Sequence, residues 1–288
     1  DCLNAGENFL CVAVDNRVNH STLPVGNENN VAFFGSDNPG IPSIELAKTR
    51  CKPQNRPNFD FFNYAGITRP VKLYTTPKSY ISDVALVTDV DGSRGIVHYE
   101  VSTIGAGTVH VQIRDTHGVT VASCTGTAGD VVIPDAVLWQ PGKAYLYTAR
   151  VTFGEDTYNQ TFGIRTVEVR GTEVLINGAP FYFKGFGKHE DSFFRGRGMD
   201  ECLNVKDVSL IHWLGANSFR TSHYPYAEEM YDLCDREGIV IIDEVPAVGI
   251  GCGADTDPYH TLKIKSHHED VIREMISRDK NHPSVVMW

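Results

Sequence analysis

No apolar run in the chain approaches the roughly 20 residues that a membrane-spanning helix needs, so no membrane partner is expected. Positive charge is also scarce. Against 26 Lys and Arg stand 36 Asp and Glu, a formal net charge of −10 at pH 7. Nucleic-acid binding needs a basic surface to neutralise phosphates, so no nucleic-acid partner is expected either. The acidic balance disfavours an anionic substrate unless a few cations gather at its site, because bulk charge governs steering and solubility rather than pocket chemistry. The chain opens on a polar stretch beginning Asp1-Cys2-Leu3-Asn4, without Met and without the basic and apolar segments of a signal peptide. That is read as processing or truncation, and it leaves the compartment undetermined.

Several chemical signatures are missing. The seven cysteines, Cys2, Cys11, Cys51, Cys124, Cys202, Cys234 and Cys252, include no pair at CxxC spacing, which excludes a zinc knuckle. Their odd number does not suit a full disulfide framework, so they are expected to be reduced or buried. The stretch His267-His268-Glu269-Asp270 stands at a helix start, where acidic residues suit the helix dipole. It is not HExxH, since Ile occupies position 272, and no metal site is expected. No G-x-S-x-G elbow supports a serine nucleophile. Lys184-Gly-Phe-Gly187 has only GxG and lacks the third glycine of a dinucleotide loop, so no cofactor is expected.

What is present fits two or three domains. The 288 residues are 41% hydrophobic and 22% charged, enough to bury real cores. Residues 1–76 read as β, with strands expected at Phe9–Val14, Phe59–Tyr64 and Arg69–Tyr74 around a polar excursion from Pro24 to Pro57. These are too few to close a sandwich, so the region reads as the second part of a domain. Residues 77–166 show short alternating runs at Tyr80–Val90, Gly95–Thr103, Thr108–Arg114, Val119–Gly126, Asp130–Ile133 and Leu146–Phe153. Turn residues such as Asp91-Gly92 and His117-Gly118 punctuate them, and roughly seven strands at this spacing predict an immunoglobulin-like sandwich. Trp139 and Trp213 read as core.

From Gly171 the period changes. Strands are expected at Pro180–Phe186, Ala216–Thr221, Ile239–Asp243 and Ser284–Trp288. Helices are expected at Glu201–Leu214, at Pro225–Glu237 with Gly238 past its end, and at Ser266–Lys280 behind a capping box of Ser266 and Glu269. Strict β/α alternation implies a parallel sheet, either doubly wound or the first half of a (β/α)8 barrel. The missing phosphate loop favours the barrel.

Barrel chemistry sits just past the C-terminal strand ends. Lys188-His189-Glu190-Asp191 follows the first strand, Ser222-His223-Tyr224 the second with Arg220 near its end, and Asp243-Glu244 closes the third. His189 and His223 are candidates for ligand contact, against the plainer readings of a strand-end His and of a His packed on Tyr224 and Tyr226. Asp243 and Glu244 fit a structural network around Arg220 better than a catalytic pair. Asp60, set among Phe59, Phe61 and Phe62, is either a ligand contact or a solvated turn residue.

Four segments carry a resemblance. Asp60-Phe-Phe-Asn-Tyr-Ala-Gly66, Phe183-Lys-Gly-Phe-Gly-Lys-His-Glu-Asp191, Gly215-Ala-Asn-Ser-Phe-Arg-Thr-Ser-His-Tyr-Pro-Tyr226 and Asp279-Lys-Asn-His-Pro-Ser-Val-Val-Met-Trp288 resemble family 2 of the glycoside hydrolases, most closely the branch that acts on β-glucuronides. The likeness covers nearly the whole chain, and residues 27–57 match poorly. It implies a multidomain chain: the C-terminal part of a jelly-roll sugar-binding β-sandwich over 1–76, an immunoglobulin-like sandwich over 77–166, and the first half of a (β/α)8 TIM barrel over 167–288, cut within strand four. It implies retaining hydrolysis by two Glu residues about 5–5.5 Å apart. One protonates the leaving oxygen, and the other attacks the anomeric carbon. Both are expected beyond Trp288, so none of the residues present is expected to be catalytic. Asp60, His189 and His223 match substrate-contacting positions, and Arg220, Asp243 and Glu244 a supporting network. The partner implied is a small-molecule or oligosaccharide β-glucuronide, and the full-length protein is expected to be a homo-oligomer. A β-galactosidase, a β-mannosidase or a non-catalytic carbohydrate-binding module remain as alternatives.

Overall fold

A computed structural model describes residues 3–26, 59, 61–248, 250, 259, 262 and 264–288. The chain divides into two units, one of Asp1–Pro70, Asp191–Met199 and Ala247–His268, the other of Val71–Glu190, Asp200–Pro246 and Glu269–Trp288.

In the first unit, irregular backbone is tied by side-chain amides. Asn16 Nδ2 donates to the Asn63 carbonyl at 2.8 Å, and Asn63 Nδ2 returns the bond to the Asn16 carbonyl at 2.6 Å. Val25, Leu262 and Ile264 form a small buried cluster. The strands expected over Phe9–Val14 and Arg69–Tyr74 do not form, and no named strand precedes Tyr80 among the described residues. Phe9 is 89% exposed and Leu73 92%. Apolar alternation makes a strand only where a neighbouring strand satisfies the backbone and covers the apolar face.

The second unit begins with a sandwich. Its strands are β1 (Tyr80–Asp91), β2 (Arg94–Ile104), β3 (Val109–Arg114), β4 (Thr120–Thr125), β5 (Ala128–Ile133), β6 (Tyr147–Phe153) and β7 (Asp156–Phe162). They form two antiparallel sheets, ordered β1-β2-β5 and β4-β3-β6-β7. Six of these lie within two residues of the sequence expectation. Period two is plainest in β6, where Tyr147, Ala149, Val151 and Phe153 are buried and the residues between them are not. They meet Val97, Val101 and Ile113 in one core. β7 escaped the sequence reading because Asp-Thr-Tyr-Asn-Gln-Thr-Phe alternates nothing apolar and forms a sheet edge.

A small antiparallel sheet follows, of β8 (Val167–Arg170), β9 (Glu173–Ile176) and β10 (Ala179–Phe181). Then come β11 (Gly185–Lys188), α1 (Glu201–Trp213), β12 (Ser218–Thr221), α2 (Glu228–Glu237), β13 (Val240–Ile242), α3 (Lys265–Asp279) and β14 (Val285–Met287). The strand expected over Pro180–Phe186 is thus two elements in different sheets. β11 to β14 pair in parallel and in chain order. A doubly wound sheet reverses its strand order at a switch point, whereas barrel strands are laid down in sequence. The observed order is that of a barrel wall.

The helices begin and end for local reasons. Asp200 caps α1, its carboxylate accepting from Leu203 N at 3.2 Å. Gly238 closes α2 in the left-handed region at φ +69°. Pro225, expected to open α2, lies ahead of its first residue Glu228. The Ser266–Glu269 capping box is absent, because α3 starts one residue earlier and His268 N already donates to the Ile264 carbonyl at 2.7 Å. α1 buries Asn204, Val208 and Ile211, and Trp213 lies off that stripe at 79% exposure, not in the core as expected. Trp139 is fully buried, as expected.

The sandwich is fastened to the barrel wall within this unit. Arg165 donates to the carbonyls of Pro283 and Val285, both at 2.6 Å, and burial lowers its pKa to about 10. Asn281 accepts from Leu86 N at 2.9 Å and donates to the Val84 carbonyl at 2.8 Å.

Candidate functional site

The parallel strands bring five of the six singled-out residues to one end of the sheet. His189 follows β11, Arg220 lies in β12, His223 follows it, and Asp243 and Glu244 follow β13. Asp60 lies outside the described residues. The His189 and His223 rings stand 5.7 Å apart, centroid to centroid, and His189 lies 6.1 Å from the Tyr224 ring.

Glu244 organises this rim. Its Oε1 takes a short hydrogen bond from Arg220, and its Oε2 lies 3.1 Å from His223 Nδ1. The same His223 nitrogen lies 3.2 Å from Arg220 Nη1. One ring nitrogen therefore faces a guanidinium and a carboxylate, and can accept from the first or, when protonated, donate to the second. The expected Arg220–Glu244 network is present. The His223 ring is part of that network. Ser222–His223 is a cis peptide.

Asp243 belongs to a second, buried layer and does not pair with Arg220. Its Oδ1 accepts from Thr221 Oγ1 at 3.0 Å and from Tyr231 OH at 2.7 Å. Thr221 Oγ1 in turn accepts from Glu244 N at 2.9 Å. Burial pushes the Asp243 carboxyl up to about 6. The nearby Asp279 adds to this, and the Tyr231 and Thr221 bonds oppose it. Burial and the Asp243 charge hold the Tyr231 hydroxyl well above its ordinary value.

Lys188 was grouped with the polar residues after the first strand, but it is the last residue of β11 and only 9% of its side chain is exposed. It pairs with Asp207 of α1 at 2.7 Å and donates to the His189 carbonyl at 2.9 Å, which steadies the backbone carrying that ring. Glu190 accepts from Ala227 N at 2.6 Å, supplying a carboxylate at the start of α2 where Ala227 has none. Thr221, Asp207, Tyr231 and Asp279 were not picked out from sequence as site residues. Apart from Arg278 beside Asp279, their partners lie 12 to 36 residues away, and no short motif encodes them.

Asp232, Asp235 and His282 bring potential ligand atoms within 4.8 Å of one another. Their geometry is that of an ion pair: His282 Nδ1 lies 2.6 Å from Asp235 Oδ2, and Asp235 Oδ1 accepts from Ser284 N at 3.0 Å. In the His267–Asp270 stretch, Glu269 and Asp270 pair with Arg273, and His268 meets Tyr259 OH at 3.0 Å. Cys11, Cys124, Cys202 and Cys234 are free thiols, Cys234 buried, while Cys2, Cys51 and Cys252 lie outside the described residues.

Residues 79–165 match Glycosyl hydrolases family 2, and residues 167–288 match Glycosyl hydrolases family 2, TIM barrel domain. The β-glucuronidase of Paenibacillus borealis is 46% identical over 98% of this chain and 47% of its own length. That of Homo sapiens is 42% identical over 97% of this chain and 43% of its own. Among solved structures, Faecalibacterium prausnitzii β-glucuronidase superposes with a TM-score of 0.86 at 62% identity, covering 95% of this chain and 46% of that one. Bifidobacterium dentium β-glucuronidase complexed with coumarin-3-O-glucuronide gives 0.86 at 55% identity, covering 95% and 47%. The chain spans less than half the length of these relatives. With matches running from residue 79 to residue 288 and relatives aligned over nearly all of it, the chain belongs to family 2 of the glycosyl hydrolases.

Proposed function

We propose that the protein hydrolyses β-D-glucuronides with retention of anomeric configuration. The observation that carries this reading is the rim of His189, Arg220, His223 and Glu244 at the C-terminal ends of sequentially wound parallel strands, in a chain whose relatives are β-glucuronidases. Barrel enzymes place their chemistry at that end. In this reading Asp60, His189 and His223 contact the sugar, while Arg220, Asp243 and Glu244 hold the rim. Glu244 is committed to Arg220 and His223, and Glu190 to the Ala227 amide. By the resemblance to the family, the acid/base and nucleophilic Glu residues are assigned past β14, the first of them following an Asn. Residues 1–76 are read as part of a jelly roll, 77–166 as an immunoglobulin-like sandwich and 167–288 as the first half of a (β/α)8 barrel. The full-length protein is read as a homo-oligomer.

The test is hydrolysis by the full-length protein of matched aryl β-glucuronide, β-galactoside and β-mannoside. Preference for the glucuronide by more than about 100-fold in kcat/KM, with product released first as the β-anomer, supports the reading. Preference for either neutral sugar moves the protein to another branch of the family. Binding of glucuronide without hydrolysis would make it a carbohydrate-binding module.

A further inference from the structure

Beneath the rim, two aspartates from different elements meet with no exposed surface. Asp243 follows β13 and Asp279 ends α3, and each is 0% exposed. Tyr231 links them: its hydroxyl donates to Asp243 at 2.7 Å, and its ring lies 5.2 Å from the Arg278 guanidinium that holds Asp279. Asp279 is gripped by its neighbour Arg278 through two bonds of 2.7 Å. Asp243 Oδ1 is taken by Thr221 and Tyr231, but its Oδ2 is buried and finds no donor among the described residues. An ionised carboxylate oxygen with no donor, pressed against a second carboxylate, is strongly disfavoured. A proton between the two removes both faults, because Oδ2 becomes a donor and Asp279 its acceptor. The surroundings place that proton on Asp243. Arg278 of α3 faces Asp279, and His282, in the turn after α3, carries a charge that also acts on Asp279. β12 and α2 offer Asp243 only the hydroxyls of Thr221 and Tyr231, while Glu244 turns its carboxylate to Arg220 and His223.

We propose that Asp243 carries a proton on Oδ2, donates it to Asp279, and through Thr221 sets the position of Glu244 on the rim. Asp243 is then a positioning residue. Thr221 Oγ1 donates to Asp243 and accepts the Glu244 amide, so the acid–carboxylate pair reaches the Arg220–Glu244–His223 network through one hydroxyl. Loss of the proton to solvent leaves two adjacent anions and drives the end of β13 away from α3. Burial, pushing Asp243 up to about 6, places that release in the mildly acidic range. The rim is held more tightly below this point than above it.

The experiment is carbon-13 NMR of the aspartate carboxyls in the full chain, with Asp243→Asn and Asp279→Asn as the assigning variants. One carboxyl is expected to titrate near pH 6, to vanish in Asp243→Asn, and to fall by at least one pH unit in Asp279→Asn. In Asp243→Asn the amide replaces the proton donor, so its thermal midpoint relative to the unaltered chain is expected to rise between about pH 4 and pH 6 and to level off above that. An Asp243 midpoint below about 4, or an Asp243→Asn variant less stable at every pH, overturns the proposal, and the titration of the unaltered chain decides even if Asp279→Asn does not fold. The positioning role alone rests on the proposed activity. KM for an aryl β-glucuronide is expected to rise severalfold through the Asp243 midpoint with kcat little changed, and to lose that inflection in Asp243→Asn. A flat KM in an active enzyme overturns the positioning role. Absence of any hydrolysis with the titration intact overturns the activity and leaves the shared proton standing.

Discussion

The indole of Trp139 donates to the carbonyl of Asp235 at 2.8 Å, joining the end of the sandwich to the second barrel helix. Trp139 is fully buried, and Asp235 also accepts from Ser284 N and His282 through its side chain. Trp139→Phe is expected to cost about 1–3 kcal/mol, from one lost hydrogen bond and a small cavity. Trp139→Ala is expected to cost about 3–5 kcal/mol. Urea denaturation of the full chain measures both, and equal stabilities for the Phe variant and the unaltered chain would show that the indole bond contributes nothing to the joint.

Gly238 and Gly215 separate two effects of glycine. Both adopt φ +69°. A Cβ on Gly215 would meet nothing within 4 Å, whereas one on Gly238 would stand 2.6 Å from Gly142 N, whose own bond runs to the Gly238 carbonyl at 2.9 Å. Gly215→Ala is expected to cost about 1 kcal/mol, from backbone strain alone. Gly238→Ala is expected to cost at least about 2 kcal/mol more, because the sandwich loop must withdraw. Equal losses in thermal denaturation would mean that the loop moves freely.

Much of the barrel wall was legible in the residues themselves. Ile239-Val-Ile-Ile242 is apolar on both faces, as a buried parallel strand must be, and Gly238 ahead of it marks the helix end. The rim could be foreseen because residues just past successive parallel strands share one end of the sheet, which brought His189, His223 and Glu244 together without any knowledge of their contacts. The layer below was not legible. Thr221, Tyr231, Asp243 and Asp279 come from four elements, and their bonds depend on how the helices pack, which no local pattern states. Trp213 misled because hydrophobicity was read without the helical stripe of Asn204, Val208 and Ile211. Phe9–Val14 misled because alternation marks a strand's faces but does not supply its partner.

Glu244→Gln tests the rim. The charge is removed while the volume stays, and Arg220 and His223 lose their shared acceptor. Because 24% of the Glu244 side chain and 39% of the Arg220 side chain are exposed, solvent screens part of the loss, and about 1–2 kcal/mol of stability is expected. Glu237→Gln, which breaks the more exposed pair with His212, is expected to cost under about 0.5 kcal/mol. In the proposed reaction Glu244→Gln should lower kcat/KM for an aryl β-glucuronide by about tenfold or more, mainly through KM. A stability loss with unchanged kinetics would place the network outside the site.

A polypeptide restricted to these 288 residues is expected to show no turnover of aryl β-glucuronides. Glycosyl transfer with retention needs an acid and a nucleophile about 5–5.5 Å apart, flanking the scissile bond. At the described rim Glu244 is bound by Arg220 and His223, and Asp243 is sealed beneath it. Turnover by the purified polypeptide, abolished by Glu244→Gln, would instead make Glu244 catalytic.

His282 gives a pH dependence distinct from that of Asp243. Burial lowers its pKa, but the hydrogen bond to Asp235 and the charges of Asp235, Asp279 and Asp232 outweigh this, so the imidazole ends above its ordinary value. A histidine raised on folding contributes stability that is fully present below its unfolded pKa of about 6.5 and is lost as pH rises through the folded value. Asp243 is also raised, from 3.8 to about 6, so the folded chain holds its proton more tightly across that window and stability falls there too as pH rises. The slopes share a sign but occupy neighbouring ranges. Asp243→Asn should flatten the stability curve between about pH 4 and 6, by about 3 kcal/mol in total. His282→Asn should flatten it above about pH 6.5, with its largest penalty on the acid side, where the ion pair is intact. Denaturant titrations at intervals of half a pH unit resolve the two. If His282→Asn costs the same at about pH 5.5 and pH 8.5, the His282–Asp235 contact works as a neutral hydrogen bond, and only the lower of the two slopes belongs to a titrating group.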